Sequence, residues 1–162
     1  MRFYRLAYNI FSAVSFAPIL LLMAILPDQV LYRIPAPWVY LSLAGQVGAA
    51  VLLVVGLLQT DPLSFVGLRQ LFEEKERPSQ LVTHGLYRWV RHPLYSAGLL
   101  FIWLAPLMSQ NSLTVVIAAT VYIVVGALFE ERKLEREFGA AYAEYKAVTP
   151  MLIPGLVFGR NK

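Results

Sequence analysis

The sequence has no cysteine, and that single absence removes disulfide scaffolds, thiolate zinc sites, iron–sulfur clusters and thiol nucleophiles together. Two histidines are present, too few to favour a metal site built from imidazoles, and no metal is expected. Charge is scarce as well. Asp, Glu, Lys and Arg make up 15% of the 162 residues, where an ordinary soluble domain carries about 25%. Apolar residues fill the space: hydrophobic types reach 58% and the mean hydropathy is +0.59. That composition describes a membrane protein. The length suits one domain rather than two, and neither an internal repeat nor a low-complexity tract is visible.

Uncharged runs extend over residues 6–27, 34–60 and 92–129, counting histidine as neutral. A helix that crosses a bilayer needs about 20 apolar residues. The first two runs each fit one crossing, near 6–26 and 38–59. The third has 38 residues, which suits a tight pair of crossings near 94–108 and 113–129. The polar cluster Ser109-Gln110-Asn111-Ser112 supplies the turn between them, with Asn111 or Ser112 as the cap of the last helix. The N-terminal run is span-length and lacks a small-x-small cleavage site, so it reads as retained rather than as a signal peptide.

Of the fourteen Lys and Arg residues, all but Arg33 fall in the segments that this four-span scheme places on one side. By the excess of basic residues in cytoplasmic loops, that side is cytosolic, and both termini lie there. The same partition accounts for the pI near 9.5 without nucleic acid as a partner. The expected protein is therefore all-α and polytopic, a single domain over 1–162 whose partner is the lipid bilayer, in a prokaryotic inner membrane. Two cytosolic segments read as structured. Asp61-Pro62 starts a short amphipathic helix with Phe65, Leu68 and Phe72 on one face. After the last span, Leu134, Phe138, Ala141, Tyr145 and Val148 continue a helical stripe, with Gly139 as a bend.

The densest unusual stretch is 81–95, Leu-Val-Thr-His-Gly-Leu-Tyr-Arg-Trp-Val-Arg-His-Pro-Leu-Tyr. Read plainly, it is an interfacial belt of aromatic residues and snorkelling arginines. Read functionally, both histidines stand beside Arg88 and Arg91, and Pro93 opens a helix whose free N–H groups face the preceding loop, the makings of an anion site. Glu130-Glu131 has the same two readings. Either it is a solvated turn, with Glu131 paired to Arg132 or Lys133, or it is a functional carboxylate pair at the membrane edge. The minimal turn between the last two spans makes them antiparallel neighbours. That brings Arg91-His92-Pro93 and Glu130-Glu131 to the mouth of one hairpin, where they suit a ligand with an amine, a carboxylate and an aromatic ring.

The ordered set Leu81-Val82-Thr83-x-Gly85-x-Tyr87, Arg91-His92-Pro93-x-Tyr95-x-x-Gly98, Glu130-Glu131-x-x-Leu134-x-x-x-Phe138-Gly139-x-x-Tyr142-x-x-Tyr145 and Val148-x-Pro150-x-x-x-Pro154 resembles the integral-membrane methyltransferases. That group includes isoprenylcysteine carboxyl methyltransferase and the phospholipid N-methyltransferases, and the resemblance covers about 79–154. It implies S-adenosylmethionine (SAM) at the cytosolic face and a lipophilic or lipid acceptor arriving from the bilayer. Carried over by position, the cofactor contacts are Gln80, Leu81, Val82, Tyr87, His92, Pro93, Leu94, Tyr95 and Glu130. Glu130 would take the ammonium of SAM and His92 its carboxylate, while Tyr87 or Tyr95 packs on adenine or faces the sulfonium. Arg91, Gly126 and Glu131 are candidates for the acceptor side, and no catalytic base is assigned.

One position departs from the resemblance. Where the carboxyl methyltransferase branch places an arginine four residues before the cofactor-binding Glu, this chain has Gly126, so a prenylcysteine carboxylate lacks its partner. A thiol, an amine or another lipid-soluble acceptor stays open. Three other readings compete. A small transporter or assembly factor would need an intramembrane carboxylate, and no Asp or Glu lies in a predicted span. An NADPH-dependent membrane reductase shares the pocket topology, and haem ligation would have to use His84 and His92 outside the apolar spans.

Overall fold

A computed structural model describes residues 25–59 and 81–155, together with positions 11, 14, 17, 18, 20, 21 and 23 of a helical stretch that ends at Ile25. Most of the expected first span, the expected amphipathic helix after Asp61-Pro62, and Gln80 lie outside the described residues.

After that stretch, four helices and one small ribbon make up the described fold. β1 (Val30–Arg33) leads to α1 (Trp38–Gln59). A 3-10 turn (Gly85–Arg88) precedes α2 (Pro93–Trp103), and β2 (Leu107–Ser109) runs directly into α3 (Gln110–Phe138), which is followed by α4 (Ala140–Val148). α1 and α3 are long and apolar enough to cross a membrane, and α2 is not.

Small residues set the packing of α1. Its buried positions are Ser42, Ala49 and Gly56, seven residues apart and therefore on one stripe of the helix. α2 lies against this stripe in the opposite direction. Ser42 Oγ donates to Leu104 O near one end, and Gln46 Nε2 donates to Phe101 O at 3.0 Å. A Cβ at Gly45 would stand 2.6 Å from Leu104 Cδ1, and one at Gly56 2.8 Å from Leu94 Cδ2. Helices in lipid gain from this close approach because no hydrophobic effect pushes them together. The outward face of α1 keeps Leu41, Val47, Val51, Val54 and Leu58 exposed, as a lipid-facing helix requires.

α3 runs antiparallel to α2, with Trp103 Nε1 donating to Thr120 Oγ1 at 3.0 Å in mid-helix. Its 29 residues span about 43 Å, longer than a hydrocarbon core of about 30 Å. The helix therefore continues unbroken past Phe129 to Phe138, as the sequence predicts.

Several expectations need correction. The helix expected over 94–108 ends at Trp103, because Pro106 lacks an N–H and disfavours helix in the residue before it. Residues 107–109 pair antiparallel with β1 instead, in the register Tyr32↔Met108 and Arg33↔Leu107 with an irregularity after Val30. The fold is therefore helical with one two-stranded ribbon, and not wholly α. The cap of α3 is Ser109, earlier than Asn111 or Ser112. Ser109 and Ser112 form a reciprocal capping box, which satisfies two donors at the helix start. Asn111 has a different task, donating through Nδ2 to Met23 O at 3.0 Å and Leu26 O at 3.1 Å. Finally, Gly139 adopts φ +53 and separates α3 from α4. That shifts the helical phase, so Tyr142 and Tyr145 are the buried residues of α4, whereas Ala141 and Val148 of the expected stripe are exposed.

Candidate functional site

The end of α1, the start of α2 and the Glu130–Glu131 part of α3 converge on the 3-10 turn and on the chain beyond α4. The turn is built on Gly85. Its φ of +63 suits glycine, and a Cβ there would stand 2.5 Å from Gln59 Oε1. That same oxygen accepts the Leu86 N–H at 3.0 Å, so the end of α1 anchors the turn. Tyr145 Oη donates to Tyr87 O at 2.5 Å from the other side.

His92 caps α2 and is buried. Its ring stacks on Tyr95 with centroids 5.4 Å apart and planes 16° from parallel. The ring reaches both acidic residues: Nδ1 lies 3.7 Å from Glu130 Oε2 and Nε2 3.3 Å from Glu131 Oε1. The second contact is close enough for electrostatic attraction but does not meet hydrogen-bond geometry. Tyr95 Oη donates to Glu130 Oε2 at 2.9 Å. Glu130 is thus tethered through one oxygen while its side chain stays 44% exposed at the mouth.

Glu131, one residue on, points elsewhere. Arg91 Nε donates to Glu131 Oε1 at 2.6 Å, with the two side chains 7% and 5% exposed. Lys146 Nζ lies 3.3 Å from Glu131 Oε2. Burial pushes the Glu131 carboxyl up, but contacts with His92 and Arg91 outweigh it and bring the pKa down to about 2. Its partners are therefore Arg91, His92 and Lys146, and not Arg132 or Lys133.

The tyrosines around the site are held neutral. Burial, then the nearby Glu130 charge, pushes Tyr87 up to about 12. Burial also pushes Tyr145 up to about 12, and it raises Tyr142, where Glu131 adds to the effect. None of the three offers a phenolate base near neutral pH.

Of the residues singled out in the sequence, Tyr87, Arg91, His92, Pro93, Leu94, Tyr95, Glu130 and Glu131 come together here. Leu81 and Val82 are half-buried on the extended chain leading into the turn. Gly126 is half-buried one helical turn before Glu130, and a hollow of about 150 Å³ lies on another face of α3, lined by Val125, Leu128, Phe129 and Arg132. Arg132 sits 5.8 Å from the centre of the Phe129 ring. Sequence reasoning gave no role to Ser96, Lys146 or Thr149. Thr149 is a buried polar residue, but in sequence it is an ordinary hydroxyl residue before a proline, as Ser79 is after one.

A helical membrane-type fold with a carboxylate, an imidazole and tyrosines gathered at one end of a helix pair defines the class, and comparison with known proteins places the chain within it. The phospholipid methyltransferase family model matches residues 40–141. The chain belongs to this family. It is 37% identical over 108 residues to a methanethiol S-methyltransferase of Crocosphaera subtropica, a match covering 64% of this chain and 42% of that protein. It is 42% identical over 106 residues to methanethiol S-methyltransferase 2 of Bradyrhizobium diazoefficiens, covering 63% and 40%. Protein-S-isoprenylcysteine O-methyltransferase B of Arabidopsis thaliana is 31% identical over 83 residues, covering 49% and 42%. The matched part is thus less than half the length of these relatives. No solved structure matches the chain.

Proposed function

We propose that the chain is a SAM-dependent methyltransferase working at the cytosolic face of a membrane. Its acceptor is a small, uncharged, lipid-soluble molecule, with a thiol of the methanethiol kind first in line. The observation that carries this reading is the Tyr95–Glu130 bond at 2.9 Å with His92 stacked beneath. It sets an exposed, oriented carboxylate beside the start of α2.

The residues fit the cofactor. The exposed Glu130 carboxylate would accept from the ammonium of SAM. The start of α2, with Leu94 in its first turn and His92 beside it, would suit its carboxylate, since a helix start favours an anion. Tyr87 and Tyr95 offer aromatic faces to the adenine and to the positive sulfonium, and Leu81 and Val82 line the approach, with Gln80 next to them in sequence. When bound, SAM supplies an activated methyl group. The chain's own task is alignment and exclusion of water, which matter more here than a strong acid or base. The neutral tyrosines agree with that assignment.

Gly126 and the activity for which the relatives are named support this acceptor. A neutral thiol needs no cation at that position, and glycine leaves room for it. A carboxylate there would keep its desolvation penalty. The setting is a single domain over 1–162 with four crossings, the site region 79–154 on the cytosolic side. The distribution of basic residues supports that topology.

The test uses the full chain in detergent micelles. Calorimetric titration should show SAM binding and no comparable NADPH binding. Labelled-methyl transfer from SAM should be seen with methanethiol and not with farnesylcysteine, and Gly126→Arg should depress transfer to methanethiol. NADPH binding in place of SAM would overturn the reaction class. Efficient methylation of farnesylcysteine by the parent would overturn the acceptor.

A further inference from the structure

Residues 146–152, the end of α4 and the chain beyond it, form a strap across the start of α2, and four consecutive carbonyls are captured there. Thr149 O accepts from Arg91 Nη1. Pro150 O and Met151 O accept from the backbone N–H groups of Arg91 and His92 at 2.9 and 3.1 Å. Leu152 O accepts from Ser96 Oγ at 2.6 Å. Arg91 Nη1 also reaches Lys146 O at 3.2 Å, so one guanidinium closes the C-terminal end of α4, where carbonyls lack helical partners and a positive charge is favoured.

This arrangement depends on a counter-charge. The Arg91 side chain is 7% exposed, and Glu131 is the carboxylate against it. A buried guanidinium left without its carboxylate would be driven toward water, and in turning it would release the carbonyls of Lys146 and Thr149. Glu131 also lies within 3.3 Å of both His92 Nε2 and Lys146 Nζ, so it touches the strap and the imidazole at once. The imidazole in turn approaches Glu130 with its other nitrogen.

We propose that Glu131 is a positioning residue. With Arg91 it locks residues 146–152 across the start of α2 and thereby holds His92 and the Glu130 carboxylate in register. The two adjacent acidic residues then divide the work: Glu130 faces the ligand, and Glu131 faces the protein. The effect on SAM rests on the reading of Glu130 as the cofactor contact, but the lock itself does not.

Hydrogen–deuterium exchange on the full chain in micelles, paired with SAM titration, separates the two. In Glu131→Gln, peptides covering 88–96 and 143–152 should exchange at least tenfold faster while 42–56 of α1 keeps the parent rate. SAM affinity should fall tenfold or more, and Glu131→Asp should recover much of both. Glu130→Gln should weaken SAM about 10- to 150-fold with exchange at 143–152 unchanged. Parent-like exchange in Glu131→Gln overturns the lock, whatever SAM does. Loss of SAM with protection intact would mean that Glu131 touches the cofactor itself. If Glu131→Gln also loses protection over 42–56, Arg91→Lys decides, because lysine keeps the charge but cannot span Glu131 and both carbonyls. Parent-like protection there overturns the lock. If the parent itself fails to bind SAM, the cofactor reading falls and the exchange data still judge the lock.

Discussion

Tyr145 and Tyr87 stand 58 residues apart in sequence, and the hydroxyl of the first donates to the carbonyl of the second at 2.5 Å. This bond fastens α4 to the 3-10 turn, so the two segments that flank the mouth of the site depend on each other. Tyr145 is largely buried, and Tyr142 packs edge-on against it with ring centroids 6.0 Å apart.

Tyr145→Phe keeps the ring and removes the donor, leaving the Tyr87 carbonyl short of a partner. The expected cost is about 1–2 kcal/mol of stability. Differential scanning fluorimetry in micelles should show a lower melting midpoint, and SAM affinity should fall with it. An unchanged midpoint would mean that water replaces the hydroxyl freely.

Gly85→Ala is expected to be more damaging than an ordinary surface substitution. A side chain at φ +63 costs roughly 1–2 kcal/mol, and the new Cβ would also displace Gln59 from the Leu86 N–H. The melting midpoint should drop further than in Tyr145→Phe. Gly139→Ala probes backbone strain without a clash: nothing lies within 4 Å of the added Cβ, but φ +53 with ψ −124 lies outside the left-handed region open to alanine, so its midpoint should also fall.

Acid should unlock the site through Glu131. Its folded pKa of about 2 lies below the ordinary 4.5, so folding favours the ionised form. The stabilisation is complete above about pH 5 and is lost as pH falls toward 2. Melting midpoints measured from pH 7 down to pH 3 should decline faster in the parent than in Glu131→Gln. Parallel curves would mean that other carboxylates govern acid unfolding.

The topology is tested by reporter fusions at Arg33, at Gln110 and after Lys162. The first two should report the extracytosolic side and the last the cytosolic side. An extracytosolic signal from the last fusion would contradict the four-crossing scheme.

The meeting of Arg91 and His92 with Glu130 and Glu131 was legible in the sequence. Two apolar runs joined by a four-residue polar turn can only fold back on each other, and the ends of an antiparallel pair must then coincide. The roles within that cluster were not legible. Adjacent helical residues point about 100° apart, and which of Glu130 and Glu131 faces the interior depends on the rotation of α3 about its axis, which the apolar pattern of a lipid-exposed helix constrains weakly. The strap was hidden for another reason. Its contacts are carbonyl oxygens, which every residue possesses, so no residue type announces them. The β1–β2 ribbon escaped likewise, because the β1 positions are all exposed and three or four residues are too few to show alternation.

The ribbon has a mechanical consequence. At the end far from the site, β2 is paired to β1 and leads straight into the Ser109–Ser112 cap, while Gln110 N–H bonds Gln29 O at 2.9 Å and Asn111 N–H bonds Asp28 Oδ1 at 3.1 Å. α3 is thus fastened at its base as well as at Glu130 and Glu131, and any tilt about that base is magnified along the helix. Glu130 lies about 30 Å along it, so a tilt of only about 2° carries its carboxylate sideways by about 1 Å. A displacement of that size is enough to change a transfer rate by about a hundredfold. On the proposed reading, in which α3 crosses a bilayer, any change in its tilt would be felt at a single carboxylate.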